Sequence, residues 1–303
     1  MKRLLILLIC ILLLPCIAFA DLAVYFLDVG QGDSAIIVCD GEAMIIDGGL
    51  PGQSDKVYTY IKDTLHLNRI TYLVATHPDN DHIGGLPAVF RAAKVSCVYS
   101  PVKEDDSPFF PELKSKAEEQ RLKLKVPYDK EKENLGKATV YFYNSERKKK
   151  SVFRSAIDSI KSIFLRDDPE EYKENNDISL VVKIVYGDTS FLFTGDIEKE
   201  AEDRLIGSGV DLGADVLKVS HHGSNSSSSI DFLAKVMPKY AVISCGKGNR
   251  YGHPNQETLN ELKQENVELY RTDLQGTIIC RSDGHNILFE IEKTAQSDVF
   301  KAP

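Results

Sequence analysis

Apolar residues in this chain fall into short runs separated by Gly, Asp and Asn, and the spacing of those runs predicts the architecture. From Leu22 the chain reads LAVYFLDVG, QGDS and AIIVCDGEAMIIDGG, which predicts successive strands joined by tight turns. The period then changes. Between Ser54 and Leu67, Val57, Tyr60, Ile61 and Leu65 recur at helical spacing, with Ser54 or Asp55 as the cap. TYLVAT (71–76) predicts a short buried strand, HPDNDHIGG a loop, Leu86 to Ala93 a helix and VSCVYS (95–100) a further strand.

Residues 101–175 read as a charged insertion, rich in Lys and Glu, with one strand at KATVYFY (137–143). Within it, Arg147, Lys148, Lys149 and Lys150 precede an amphipathic pattern of Val152, Ile157, Ile160, Ile163 and Phe164 running to Glu174. A solvated surface helix is the favoured reading there, ahead of a basic helix touching a polyanion. Alternation resumes with ISLVVKIVYG and TSFLFTGD as strands and IEKEAEDRLIGSG as a helix. ADVLKVS, IDFLAKVM, YAVISCG and ETLNELKQE continue strand–helix–strand–helix, and VELYRT, GTIICRS and NILFEIE close the chain as strands. Strands alternating with helices in both halves predict one α/β layered domain over 21–303, with mixed sheets inside and helices outside.

The first twenty residues have a different character. Lys2 and Arg3 precede an apolar run from Leu4 to Leu14, Pro15 interrupts it, and Ala18-Phe19-Ala20 has the small-x-small form of a cleavage site. This is the pattern of a secretory signal peptide. The expectation is cleavage before Asp21 and a secreted or extracytoplasmic protein (periplasm or cell surface), with an uncleaved membrane anchor as the alternative. No stable membrane partner is implied. The 37 Lys and Arg against 45 Asp and Glu give a net charge of −8, and losing Lys2 and Arg3 deepens it. That balance excludes a protein that coats nucleic acid through a basic face, but suits an acidic cleft lined with cations. Cys39, Cys97, Cys245 and Cys280 match no zinc or redox spacing; one or two disulfides and buried free thiols both fit them.

Candidate chemistry is concentrated after the predicted strands. Of seven histidines, five fall in three such loops. The first loop, Thr76-His77-Pro78-Asp79-Asn80-Asp81-His82, supplies imidazoles and carboxylates that a divalent ion needs within about 2.0–2.2 Å. Asp196 follows the apolar strand FLFTGD, His221-His222 follows ADVLKVS, and Tyr251-Gly252-His253-Pro254 follows YAVISCG. A lone His or Gly-Asp in a loop is ordinarily a turn residue. Several such loops in one chain point to a metal site.

This combination resembles the metallo-β-lactamase superfamily, with His77-Pro78-Asp79-Asn80-Asp81-His82 standing for its HxHxDH loop and Asp79 where the second His is usual. FLDVGQGDSAII, MIIDGG, THPDNDHIGGL, NDISLVV, SFLFTGDIEKEAE, DVLKVSHHGS and NRYGHP resemble, in order, the hydrolase domain of ComEC-type competence proteins. In those proteins the domain accompanies a polytopic channel; here a free-standing secreted relative is expected. The resemblance implies a four-layer αββα sandwich with metals held between sheet edges. It implies His77, Asp79, Asp81 and His82 as first-loop ligands, Asp196 as a bridging carboxylate and His253 as the last histidine ligand. Asp47 is expected to order the ligand loop. No His stands near Asn176-Asp177 for the middle ligand, so Asp177 or one of His221 and His222 is expected to serve.

The implied function is a metal-dependent hydrolase, a phosphodiesterase or nuclease acting on DNA or nucleotides. It would work through a water activated by two ions about 3.5–4 Å apart. Zinc is the first choice and manganese the second. Asp81 would also orient the attacking water, and His221 or His222 would protonate the leaving group. Ser226 to Ser229 reads as a helix cap ahead of a phosphate site. The rival enzyme is a β-lactam or lactone hydrolase on the same metals, and the rival outside enzymes is a non-catalytic binding module.

Overall fold

The computed structural model describes residues 22–144 and 176–293. The leader-like segment 1–20 and the basic stretch from Arg147 to Glu174 lie outside the described residues.

The apolar runs form strands buried on both faces. β1 (Leu22–Phe26) turns Leu22, Val24 and Phe26 to one core and Ala23 and Tyr25 to another, so the run carries no polar alternation. It pairs antiparallel with β2 (Ala35–Cys39), which pairs with β3 (Glu42–Ile46) across the two-residue Asp40-Gly41 turn. Both turn residues have positive φ (48° and 81°), the conformation whose twist matches the flanking strands. β4 (Arg69–Val74), β5 (Lys94–Tyr99) and β6 (Leu124–Lys125) follow in parallel, and β14 (Ile278–Ser282) and β15 (Ile287–Ile291) return to the other side of β1. The resulting sheet runs β15-β14-β1-β2-β3-β4-β5-β6.

The second sheet contains β7 (Glu131–Leu135), β8 (Ala138–Tyr143), β9 (Val181–Tyr186), β10 (Thr189–Phe193), β11 (Val216–Lys218), β12 (Tyr240–Ile243) and β13 (Glu268–Arg271). Its order is β13-β12-β11-β10-β9-β8-β7, parallel from β10 to β13. The two sheets pack face to face through Val24, Phe26, Ile37, Phe142, Phe191 and Phe193, with the Phe26 and Phe193 rings stacked at 5.7 Å. Helices Ser54–Thr59, Pro87–Ala92 and Phe110–Glu119 cover the first sheet; Lys199–Ser208, Ile230–Val236 and Gln256–Gln264 cover the second. The architecture is the αββα sandwich expected, with mixed sheets between helical layers.

Local differences have physical causes. The region read as a charged insertion with one strand holds, as far as Asn144, the helix Phe110–Glu119 and β6, β7 and β8. β7 buries only Leu135, so its sequence shows no apolar period. The expected helix from Ser54 widens into a π-type turn at Tyr60–Thr64, and HPDNDHIGG contains a helical turn, Asn80–Ile83. All four described cysteines are free, three of them buried. Among the described residues no helix is long and apolar enough to cross a membrane.

Candidate metal centre

The centre forms where strand ends from both sheets meet. Asp47 directly follows β3, and its N–H donates to the Val74 carbonyl at 2.9 Å. Its carboxylate accepts from the Thr76 N–H (2.8 Å) and the Thr76 hydroxyl (2.7 Å), and lies 2.8 Å from His82 Nδ1. A carboxylate only accepts, so His82 carries a proton on Nδ1 and turns its Nε2 toward Asp196 Oδ2, 3.1 Å away. The Thr76 hydroxyl has given its hydrogen to Asp47 and therefore accepts from His77 Nδ1 at 3.1 Å. His77 Nε2 is left 3.7 Å from Asp79 Oδ2.

The second sheet contributes through an unusual backbone. After β11, His221 and His222 both adopt left-handed φ (47° and 54°), as Asp47 does (58°). Such conformations cost non-glycine residues roughly 1–3 kcal/mol each and persist where surrounding bonds dictate them. Here the His221 N–H donates to Gly195 O (3.2 Å) and the Ser224 N–H to His221 O (2.8 Å). The turn sends the neighbouring imidazoles in different directions. His222 Nδ1 donates to Ser244 O at 3.0 Å, and its Nε2 lies 3.2 Å from both Asp81 Oδ2 and Asp196 Oδ2. His221 Nδ1 lies 3.2 Å from Glu198 Oε1 and 3.2 Å from Ser226 Oγ. Beneath His222, Asp33 places Oδ1 3.2 Å from its Nδ1, while Lys218 Nζ holds Asp33 Oδ2 at 2.8 Å and donates to Val219 O at 2.9 Å. Gly32 lets this loop approach the ligand loop: the Asp33 N–H donates to Asp81 O at 3.1 Å, and a Cβ on Gly32 would overlap that carbonyl.

The electrostatics draw positive charge inward. Burial opposes charge on His82, but Asp196 and Asp47 outweigh it and hold its proton affinity well above the ordinary imidazole range. His222 behaves alike: burial is overcome by Asp196, Asp33 and Asp81. Burial would raise Asp196, yet His222 and His82 hold it well below the usual carboxylate range. Asp33 is likewise lowered against burial, chiefly by Lys218. His77 is pushed down to about 4 by burial and by the neighbouring His82 charge.

The residues fit a divalent cation. The Nε2 atoms of His77, His82 and His222 and the Oδ1 atoms of Asp33 and Asp196 are buried without a well-formed hydrogen bond, a condition that is rare unless something else occupies the site. One ligand atom from each of Asp33, His82, Asp196 and His222 lies within 4.8 Å of the others. Imidazole nitrogen and carboxylate oxygen in one compact set are donors for a zinc-like or manganese-like ion.

The structure brings His77, Asp81, His82 and Asp196 together with His222. Asp79 stands beside His77, and Asp47 supports His82 and Thr76. His253, expected as the last histidine ligand, lies outside the set of four; its ring centre is 5.6 Å from His221 and 6.2 Å from His222. Burial and the His222 and His221 charges push His253 down to about 4. Asp177 is turned elsewhere: it accepts the Glu198 N–H at 2.8 Å and lies 3.6 Å from Arg204. The serine run is a cap. Ser229 Oγ accepts from the Phe232 N–H, and the Glu202 carboxylate takes the Ser228 and Ser229 N–H groups. Sequence reasoning missed Asp33 and Lys218; the trace of Asp33 was its place in QGDS.

Residues 27–247 match the metallo-beta-lactamase superfamily. The chain belongs to it. The chain is 29% identical over 284 residues to "ComE operon protein 3" of Bacillus subtilis, covering 88% of this chain and 34% of that protein. It is 29% identical over 259 residues to "Competence protein ComA" of Neisseria gonorrhoeae, covering 85% of this chain and 32% of the relative. The chain thus spans about a third of the length of these curated relatives. Among solved structures, the CmlA beta-hydroxylase E377D mutant superposes with a TM-score of 0.53 at 13% identity, over 86% of this chain and 54% of that one. A hydroxylase on the same fold means that the site, not the architecture, must carry the functional argument. This member has the superfamily's metal-dependent hydrolase fold and a His/Asp cluster suited to a divalent cation.

Proposed function

We propose that this chain is a metal-dependent phosphodiesterase acting on nucleic acid or nucleotides outside the cytoplasm. One observation carries the proposal: buried, unpaired imidazole and carboxylate atoms from both sheets converge beside an open cleft of about 570 Å³ that Asp79 and Asp81 line. His82, His222 and Asp196 would hold one ion, with Asp33 beneath His222 as its support, and His77 with Asp79 offers donors for a second. Ions held there, zinc first and manganese second, supply Lewis-acid polarisation of the phosphoryl group and lower the pKa of a bound water.

The side chains divide the remaining work. Asp81 reaches His222 Nε2 and also lines the cleft, so its carboxylate can accept a hydrogen from the attacking water and aim it. His222 is committed to the carboxylates. His221, with Nδ1 held by Glu198 and Ser226, keeps Nε2 to protonate the departing oxygen. The competence names of the two relatives and Arg250 in the cleft wall support a phosphate-bearing substrate. The signal-like residues 1–20 support the extracytoplasmic location.

The test is metal content measured beside hydrolysis of DNA, RNA, bis-p-nitrophenyl phosphate and nitrocefin. The expected result is at least one ion per chain and cleavage of phosphodiesters, lost in Asp81→Ala with the fold intact. Cleavage of nitrocefin alone would favour the cyclic-amide hydrolase, and less than one ion without turnover would favour a binding module.

A further inference from the structure

The cleft beside the metal centre carries a second chemistry on its wall. Asp79, Asp81 and Phe109 line it from the first half of the chain, and Asn249, Arg250 and Tyr251 line it from the second. Those last three belong to the KGNRYGHP segment between β12 and the helix Gln256–Gln264. Tyr251 is 53% exposed, and among the described residues it is the only aromatic side chain of the exposed large hydrophobics. A ring exposed on the wall of this cleft offers a π-face to whatever enters it.

The loop holds this ring in place. Asn249 Nδ2 donates to the Gly246 carbonyl (2.9 Å) and the His253 carbonyl (2.6 Å), while its Oδ1 accepts from the Tyr251 N–H (3.1 Å) and the His253 N–H (3.0 Å). Gln31 ties the loop to the first sheet by accepting the Gly246 N–H at 3.2 Å. The Tyr251 ring lies 5.7 Å from that of His253 with only 23° between their planes. Arg250 donates to the Tyr251 hydroxyl at 2.7 Å, with its guanidinium 4.9 Å from the ring centre.

We infer that Tyr251 and Arg250 form a nucleotide-binding platform, the ring stacking on an unpaired base and the guanidinium pairing with a backbone phosphate beside the scissile bond. The inference rests on the phosphodiesterase reading and sharpens its substrate. An aromatic face accepts any base, so the platform predicts little sequence preference. The guanidinium fork matches phosphate geometry, and it shares the cleft with the Asp79 and Asp81 carboxylates, which repel phosphate unless cations are bound. A base stacked on Tyr251 must leave its duplex partner, so single strands are the preferred form.

The test compares wild type with Tyr251→Leu and Tyr251→Phe, using a fluorescein-labelled oligothymidylate in manganese buffer. Cleavage kinetics and binding by fluorescence polarisation are both read. Tyr251→Leu should raise KM and Kd about tenfold, the size of one lost stacking contact, with kcat within threefold. Tyr251→Phe keeps the π-face and should stay within twofold of wild type. A Phe variant as weak as the Leu variant, or a Leu variant that loses kcat while KM and Kd hold, would overturn the platform. Wild type that binds the oligonucleotide without cutting it would sink the phosphodiesterase reading alone, and the Kd comparison would still decide the platform. Wild type that does not bind it at all would remove the platform.

Discussion

Asp47 holds His82 Nδ1 at 2.8 Å within the first half of the chain; Asp33, also from the first half, approaches His222 Nδ1 of the second at 3.2 Å. The two arms point their Nε2 atoms at the same Asp196 carboxylate, yet their own carboxylates are secured by different means. Asp47 is satisfied by neutral donors on its own sheet, the Thr76 N–H and hydroxyl. Asp33 instead depends on the ammonium of Lys218, which is 3% exposed and comes from β11 on the opposite sheet. The first arm is therefore local to one sheet, while the second is complete only after the two sheets pack. A buried ion pair adds little net stability, but removing one partner strands a charge in a poorly solvated site.

The comparison is sharpest at the imidazoles. His222→Ala should cost more in metal affinity than the 10–100-fold typical of losing a ligand's supporting partner, whereas His253→Ala should stay well inside that range. Competition with a chromogenic chelator measures both. Equal loss in the two variants would make His253 a ligand on a par with His222.

Changes to the supports should give smaller and opposite patterns. Lys218→Met should destabilise the fold by about 3–5 kcal/mol in urea denaturation, and adding Asp33→Asn should recover much of that loss. Asp47→Asn should weaken the metal about 10–100-fold, because His82 loses its orienting acceptor. Its stability cost should be only about 1–2 kcal/mol, since the Asn carbonyl can still accept from the Thr76 N–H while its NH2 donates to the Thr76 hydroxyl. If both substitutions gave the same stability loss, the distinction between local and cross-sheet support would fail.

How much of this was readable in advance follows the same division. The loop from His77 to His82 is legible because its ligands crowd into six residues after an apolar strand. Asp196 is legible once that loop is recognised. The layered fold is legible because β1, β2 and β4 are short apolar runs between turn residues. Asp33 looked like part of a Gly-Asp turn, and Lys218 sat unmarked inside ADVLKVS; only packing of the two sheets joins them. The place of His222 in the cluster depends on consecutive left-handed residues at 221 and 222, a conformation that non-glycine residues seldom announce. β7 was hidden because a strand with one buried residue carries no apolar period.

The most direct test is anomalous scattering from crystals grown with manganese or zinc. The predicted peak lies within about 2.0–2.2 Å of His82 Nε2, His222 Nε2 and an Asp196 oxygen. A peak held by His221 and His253, with nothing between His82 and His222, would contradict a centre built by these two arms.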